Sequence, residues 1–316
     1  MVEGKICRFT VGGKEVTVET GKYAKQASGS AWVKVGDTVL LVTATMAPEP
    51  KPGVDFFPLT VDFEEKMSAV GKIPGGFLRK EGRPGDKAIL CSRLIDRPIR
   101  PLFPKDMRND VSIVCTVMSV DPDCSPEIAA MWGVSTALAI SEIPWDGPVS
   151  SVSLGLVEGK YVINPTLEER GVSEMSVTVA STDSLVAMIE AGANEGDNEK
   201  MFDGIMFAHE ENKKIVEFIK GIQKEIGKEK VPFESNDPSE EMYEDVKSFA
   251  IDMIKEALDT DDKLVRDERL KPVYAAVHET FDEKYPEEIL KLDDCLYKLQ
   301  KYVVRRRLLD ESKRVD

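Results

Sequence analysis

The segment with the clearest chemical potential is a short basic loop that carries an aromatic side chain between glycines. It contains Phe77, Leu78, Arg79, Lys80 and Arg83. An aromatic ring offers a stacking surface to any nucleic acid base, and adjacent cations neutralise phosphates. The pattern predicts a site that grips a single strand of nucleic acid without reading its sequence. The alternative is a surface loop whose Phe77 packs into the core and whose charges are merely solvated.

Three arginines follow at helical spacing, Arg93, Arg97 and Arg100. On a continuous helix they would share one face. Pro98 disfavours helix at the residue before it, so the helix that starts near Asp86 is expected to end near Asp96. The arginines either contact phosphates or form buried ion pairs that fix the loop, and we favour ion pairs for most of them. The candidate acidic partners are Glu81, Asp86 and Asp96.

Charge is unevenly distributed along the chain. The 316 residues carry 42 basic and 57 acidic side chains, which gives a formal net charge of −15. Residues 71–108 nevertheless carry ten basic and four acidic side chains, whereas residues 109–199 carry two and fifteen. The total argues against attraction of nucleic acid or anionic membrane to the whole surface, but a polyanion would bind at the basic window.

The rare residue types exclude several classes of site. Two histidines, His209 and His278, argue against a His-centred hydrolase or a His-rich metal site and are expected to be structural. Five cysteines with no C-x-x-C pair indicate neither a disulfide framework nor a zinc knuckle and suit a reducing cytosol. The sequence shows neither a long apolar run nor a secretory signal, so we expect a cytoplasmic protein without a membrane partner.

Strand patterns fill most of the first 200 residues and position this loop. Alternating or β-branched runs occupy residues 14–20, 31–35, 38–45, 59–63, 111–120, 149–157, 160–163, 173–180 and 185–191. Gly36-Asp37 is a typical hairpin turn. Ser125, a good N-cap residue, opens a helix to about Ile143 that is apolar on nearly every face and should be buried.

The character of the chain changes to helical after residue 200. Amphipathic helices are predicted over residues 201–226 and 240–258, with two or three more in 261–313. The polar stretch 228–239, broken by two prolines, is typical of a linker. The sequence therefore predicts an α+β domain of mixed sheets and packed helices over residues 1–230. A small all-helical domain follows over 231–310.

The run from Gly76 to Pro104, GFLRKEGRPGDKAILCSRLIDRPIRPLFP, resembles the signature of the polynucleotide phosphorylase (polyribonucleotide nucleotidyltransferase) family. It is most similar to the first of that family's two ribonuclease PH-like domains. Supporting matches are GKYAKQASGS at 21–30, TVLLVTAT at 38–45 and FPLTVD at 57–62. The resemblance extends over essentially the whole chain. It implies that residues 311–316 begin the linker to a second ribonuclease PH-like domain, and that the chain is the N-terminal half, as a fragment or a split chain.

The resemblance also implies an activity. Members of the family degrade RNA from its 3′ end by phosphorolysis, with inorganic phosphate as co-substrate and Mg²⁺ as cofactor, and release nucleoside diphosphates. They can also run in reverse as polymerases. They act in mRNA degradation in the cytoplasm as homotrimeric rings around an RNA channel, and RNA-degradation complexes are further expected partners. Single-stranded RNA is the implied ligand of this chain.

The RNA-gripping loop of the family corresponds to Phe77, Leu78, Arg79 and Lys80, with Arg83 beside it. The family often has a second aromatic where this chain has Leu78, and commonly arginine where it has Lys80. Leu78 can pack against a base but lacks the quadrupole of an aromatic ring. Lys80 keeps the charge but lacks the bidentate fork of arginine. We therefore expect a somewhat weaker grip.

The phosphorolytic site of the family lies in its second domain, where a Ser-rich helix start holds phosphate and a strand carries an Asp and a Lys two residues apart. Here the helix start has Pro126, which lacks a donor, and Glu127, whose carboxylate would repel phosphate. The strand positions are Ser176 and Thr178, which replace neither a metal-binding carboxylate nor an acidic ammonium. We expect no catalytic residue and no metal ligand in this half, which would shape the channel and grip RNA.

Two other interpretations stay open. The chain could be a non-catalytic ribonuclease PH-like ring subunit or interaction scaffold of an exosome-type complex, although such a single-domain subunit would not need the helical domain. A generic acidic α+β binding domain would leave the basic loop unexplained.

Overall fold

Two β-sheets and four helices make up the first part of the chain in the computed structural model, which describes residues 4–50, 54, 56–233, 235, 237–286 and 288–315. The chain divides into two units, residues 1–234 and 235–316. The strands of the first unit are β1 (Lys5–Val11), β2 (Lys14–Thr20), β3 (Gly29–Val35), β4 (Thr38–Pro50), β5 (Leu59–Glu65), β6 (Asn109–Ser119), β7 (Ser150–Val157), β8 (Lys160–Ile163), β9 (Met175–Ser181) and β10 (Val186–Ala193). Its helices are α1 (Asp86–Ile99), α2 (Pro126–Ile140), α3 (Leu167–Val172) and α4 (Asn198–Ile226).

The larger sheet has the strand order β1-β2-β3-β4-β6-β5, and only the β5–β6 pair is parallel. The smaller, antiparallel sheet has the order β10-β9-β7-β8. Gly36-Asp37 forms the predicted turn, since Val35 and Thr38 are the closing pair of the β3–β4 ladder. Gly36 has a φ of 55°, and a Cβ there would lie 2.4 Å from an oxygen of Asp121. The predicted α+β fold with mixed sheets is confirmed.

Helix α2 is the centre of the first unit. Every residue of this helix except Glu127 is buried, and it packs against β3 and β4 of the larger sheet and β7 of the smaller one. Gly133 allows the close approach, because a Cβ there would lie 2.6 Å from the side chain of Val42. A helix that is apolar on all faces must be enclosed on all sides. The predicted burial is confirmed, although the helix ends at Ile140 rather than near Ile143.

The predicted end of α1 near Asp96 is wrong. The helix continues through Pro98 to Ile99, and a one-turn 3₁₀ helix follows over Arg100–Leu102. A proline in the last turn removes a single hydrogen bond, and burial of the Pro98 ring offsets that loss. The strand patterns in the sequence also do not reveal β1 or the six-residue helix α3, whose start carries a capping box formed by Thr166 and Glu169.

The carboxyl end of α2 is closed by the segment that follows α4. The backbone N–H of Lys228 donates to the carbonyl of Ile140 at 3.0 Å. The Lys230 ammonium donates to the carbonyls of Leu138 and Ser141, at 2.7 and 2.8 Å. The last carbonyls of a helix have no partner within it, so this lysine satisfies groups that the core would otherwise leave unpaired. Burial lowers the pKa of Lys230 to about 8, and the charge of Glu142 opposes that shift.

Within its described residues, the second unit contains three helices, α5 (Glu240–Ala257), α6 (Lys263–Phe281) and α7 (Ile289–Glu311). Their apolar faces form a separate core, and the helical region predicted after the sheets is confirmed. Ser239 caps α5 and Asp262 caps α6 through their side-chain oxygens. His278 on α6 contacts Asp282 through Nδ1 at 2.8 Å and Asp293 of α7 through Nε2 at 3.1 Å. Among the described residues, no helix is both long and apolar enough to cross a lipid bilayer.

Lys230→Met keeps the aliphatic stem of the lysine but removes its donors. The carbonyls of Leu138 and Ser141 then lose a partner, so we expect the free energy of unfolding to fall by about 1–3 kcal/mol. Urea unfolding at neutral pH measures this decrease. The control is Lys224→Met, an exposed side chain in the last turn of α4, which should change stability by less than about 0.5 kcal/mol. Equal decreases in the two variants would contradict the role of Lys230.

His278 should make the stability of the second unit depend on pH. The hydrogen bond with Asp282, helped by Asp293, raises the pKa of His278 above its ordinary value of 6.5. The folded unit therefore favours the imidazolium, and this stabilisation is complete below pH 6.5 and is lost as the pH rises through the folded pKa. The stability difference between wild type and His278→Gln should shrink from about pH 5 to about pH 9. Unfolding curves at several pH values test this, and a constant difference would refute it.

Candidate nucleic-acid interface

The basic loop lies between a one-turn 3₁₀ helix, Met67–Val70, and the start of α1. Gly71 ends the 3₁₀ helix with a left-handed φ of 69°. The loop is then irregular up to Gly85, the N-cap residue of α1. The carboxylate of Glu81 accepts a hydrogen bond from the N–H of Met67 at 2.9 Å. The loop is thus anchored at its base, while its tip extends from the body of the unit.

The tip of the loop is fully accessible. Phe77 has 101% and Leu78 has 72% of its reference surface exposed. A phenylalanine ring that stays in water forgoes about 1.5–3 kcal/mol of burial free energy. The alternative in which Phe77 packs into the core is therefore wrong. Arg79 has a left-handed φ of 49° and its N–H donates to the carbonyl of Gly76, which makes a tight turn at the tip.

The cations of the loop are not neutralised by the rest of the unit. Arg79, Lys80 and Arg83 are exposed and form no ion pair or side-chain hydrogen bond with any residue that the structure describes. Lys72 is likewise exposed and has no such partner among the described residues. The motif in the sequence does not single out Lys72, although the charge count of its window could have identified it. The loop presents an aromatic ring and four uncompensated cations within twelve residues.

The three arginines in and just after α1 have different surroundings. Arg100 donates to Asp96 and to the carbonyls of Phe57 and Leu59, so it joins the end of α1 to the start of β5. Arg97 forms an ion pair with Glu190 of β10 at 3.0 Å, although both groups are exposed.

Arg93 is exposed and, in the described part of the chain, has no ionic partner. The expected ion pair with Asp96 is confirmed for Arg100. Glu81 and Asp86, by contrast, bind none of the three arginines.

The amino end of α2 is not built to hold phosphate. Ser125 occupies the N-cap position but makes no capping bond, and its hydroxyl accepts from the Arg170 guanidinium at 3.2 Å. Pro126 takes the first helical position. Glu127 Oε2 is buried and has no hydrogen-bond partner among the described groups. Burial, aided by the Glu127 charge, raises the pKa of the nearby Cys91 thiol to about 12. An anion here would meet a desolvated carboxylate.

Ser176 and Thr178 lie on β9 with their side chains on one face of the smaller sheet. Ser176 is exposed and Thr178 is half-buried, and Thr178 pairs across the ladder with Glu190. Two hydroxyls and one carboxylate already bound to Arg97 do not fit Mg²⁺, which prefers carboxylate and phosphate oxygens. Within the described ranges, no three His, Cys, Asp or Glu side chains are grouped to hold a metal ion.

Sequence models of three domain families match the chain in succession. Residues 12–144 match domain 1 of the 3′ exoribonuclease family, and residues 147–211 match its domain 2. Residues 241–316 match the RNA-binding domain of polyribonucleotide nucleotidyltransferase.

The chain is also similar in sequence to proteins named polyribonucleotide nucleotidyltransferase. The protein of Ruminiclostridium cellulolyticum is 53% identical over 304 residues, which is 96% of this chain and 43% of that protein. The protein of Caldicellulosiruptor saccharolyticus is 48% identical over 315 residues, 100% of this chain and 45% of that one. The chain thus spans less than half the length of these relatives.

Among solved structures, the crystal structure of rice (Oryza sativa) Rrp46 has a similar fold, with a TM-score of 0.54 at 16% identity. The likeness covers 66% of this chain and 94% of the rice chain. The three domain matches and the relatives at about half identity agree with the fold. The chain belongs to the polyribonucleotide nucleotidyltransferase family.

Proposed function

We propose that this chain is the RNA-gripping, channel-forming part of a 3′→5′ phosphorolytic exoribonuclease that acts in mRNA degradation. In that reaction RNA and inorganic phosphate yield nucleoside diphosphates. The names of the relatives support the reaction class. The match of residues 241–316 supports a helical unit that also contacts RNA, and it disfavours a single-domain ring subunit of an exosome-type complex.

One observation carries the proposal, the exposed ring of Phe77 beside Arg79, Lys80 and Arg83. An aromatic ring that has no protein partner is available to a base, and such stacking contributes about 1–3 kcal/mol per base. Uncompensated cations in an acidic protein attract a polyanion to their own position. Leu78 extends the apolar tip. Arg93, without an ionic partner in the described structure, is a further candidate for phosphate contact.

The same proposal places the phosphorolytic chemistry outside these residues. Glu127 opposes phosphate at the start of α2, and Ser176 and Thr178 offer no carboxylate and no ammonium. Mg²⁺ and phosphate would be held by a second ribonuclease PH-like domain, as the family resemblance implies. We further propose that residues 1–230 and 231–310 act as the two domains of this half. Residues 311–316 would begin the linker to the second ribonuclease PH-like domain. The assembly would be a cytoplasmic homotrimer that binds partner proteins of RNA-degradation complexes.

Removal of the loop cations should weaken RNA binding and its salt dependence together. For Arg79→Ala with Lys80→Ala, we expect the slope of log affinity against log salt to fall by about 0.7 for each phosphate that is no longer neutralised. Fluorescence anisotropy with labelled oligo(A) measures both quantities. The matched control is Lys213→Ala with Lys214→Ala, which removes the same charge from α4.

Phe77→Ala should weaken the free energy of RNA binding by about 1–3 kcal/mol, and Phe77→Trp should change it little. Unchanged affinity in the loop variants would remove the assigned role.

The chain alone should not carry out phosphorolysis. Incubation with oligo(A), phosphate and Mg²⁺ should release no ADP above a mock purification, because the chain supplies no phosphate-binding helix start and no Asp–Lys pair. Chromatography of the nucleotides measures the release. ADP production that disappears in Thr178→Ala or Ser176→Ala would show that this half has an active site of its own.

A further inference from the structure

The second unit carries a cationic surface of its own, distinct in sequence from the basic loop of the first unit. Residues 298–307 of α7 hold five basic and no acidic side chains, within a unit of 15 basic and 22 acidic residues. We define the α7 stripe as Tyr297, Lys301 and Arg305. These three residues recur every fourth position and therefore follow one face of the helix.

The stripe faces solvent along its whole length. The opposite face of α7 is buried in the core of the unit through Leu292, Leu296, Leu299 and Val303. Tyr297 keeps 55% of its surface exposed, and Lys301 and Arg305 are exposed as well. The distance along the axis from Tyr297 to Arg305 is about 12 Å, which corresponds to roughly three nucleotides of a stacked strand.

The cations of the stripe differ from their neighbours in having no acidic partner. Lys298 pairs with Asp237, Arg306 with Asp310, and Arg307 with Asp259, at 2.6 to 2.8 Å. Lys301 and Arg305 form no ion pair with any described residue. The Lys301 ammonium instead lies 4.0 Å from the centroid of the Tyr297 ring. This cation–π contact holds a cation beside an exposed aromatic ring, and it leaves that cation without a counterion.

We propose that the α7 stripe is a second binding site for single-stranded RNA. A base stacks on the exposed surface of Tyr297, and Lys301 and Arg305 contact the phosphates that follow. The inference rests on the proposed function, and it deepens that function by naming the surface of the helical unit. Apart from Lys301 and Arg305, the unit has 22 acidic against 13 basic side chains, so its net charge outside the stripe repels a polyanion.

The experiment compares stripe variants with variants of the same helix, all in the full chain. Tyr297→Ala should lower the affinity for oligo(A) about tenfold, and Tyr297→Phe should retain it. Lys301→Ala with Arg305→Ala should lower the salt slope by about 0.7 for each phosphate that the stripe neutralises. The control Tyr302→Ala removes a tyrosine that is 44% exposed on another face of α7. The charge control is Lys255→Ala with Lys271→Ala, and neither control should change affinity.

Photo-crosslinking with 4-thiouridine-substituted RNA locates the binding surface, and we expect crosslinked peptides from α7 that disappear in Tyr297→Ala. If stripe variants bind as wild type while Arg79→Ala with Lys80→Ala binds weakly, the stripe is overturned and the proposed function stands. If the stripe variants bind weakly and the loop variants do not, the stripe stands and the loop loses its role. If the stripe variants leave RNA binding unchanged but lose binding of polyglutamate, the stripe would be a site for an acidic protein and the RNA proposal would be overturned. A wild-type chain that binds no RNA would overturn both the stripe and the proposed function.

Discussion

The enclosure of α2 is the constraint on which the first unit depends. A fifteen-residue helix with a single half-buried residue, Glu127, cannot lie on a surface, so both sheets must close around it. This arrangement fixes the distance between β4 and β7. It also means that a backbone N–H or C=O group at either end of the helix costs free energy if it has no hydrogen-bond partner. At the carboxyl end, Lys230 reaches back to satisfy the carbonyls. At the amino end, Glu127 leaves a buried oxygen without a hydrogen-bond partner among the described groups.

The same constraint separates binding from chemistry. Because the first unit uses the ends of α2 in its own core, the side chains available to a ligand lie on segments outside that core, such as the loop around Phe77. The outer face of α7 likewise lies outside the core of the second unit. Each combines an exposed aromatic ring with cations that lack a counterion among the described residues. Under the proposed function, both surfaces would contact single-stranded RNA.

Local patterns were predictable and long-range partners were not. The turn at Gly36-Asp37 and the burial of α2 follow from adjacent residues, so the sequence sufficed. The pattern of β1 is harder to recognise, because Ile6, which is apolar but 50% exposed, interrupts the alternation of Cys7, Phe9 and Val11 with polar residues. The ion pair of Arg97 with Glu190 joins positions 93 residues apart, which no spacing rule connects. A glycine-flanked phenylalanine has the same pattern whether exposed or buried, so only the structure decided Phe77. The stripe on α7 lies within a unit of negative net charge, so the total charge of the unit does not reveal it.

The glycines at 75, 76 and 82 have an evolutionary consequence. Apart from the glycine itself and its two chain neighbours, no heavy atom of the described structure lies within 4 Å of the place where a Cβ would stand at each of them. No packing contact seen in the fold therefore restricts what may occupy these positions. Substitutions along the loop can therefore change its stiffness, and under the proposed function its affinity for RNA, without a cost to the core. Leu78 and Lys80 lie in this permissive segment. Under the proposed function, substitutions here would adjust the hold on RNA independently of folding while the scaffold stays fixed.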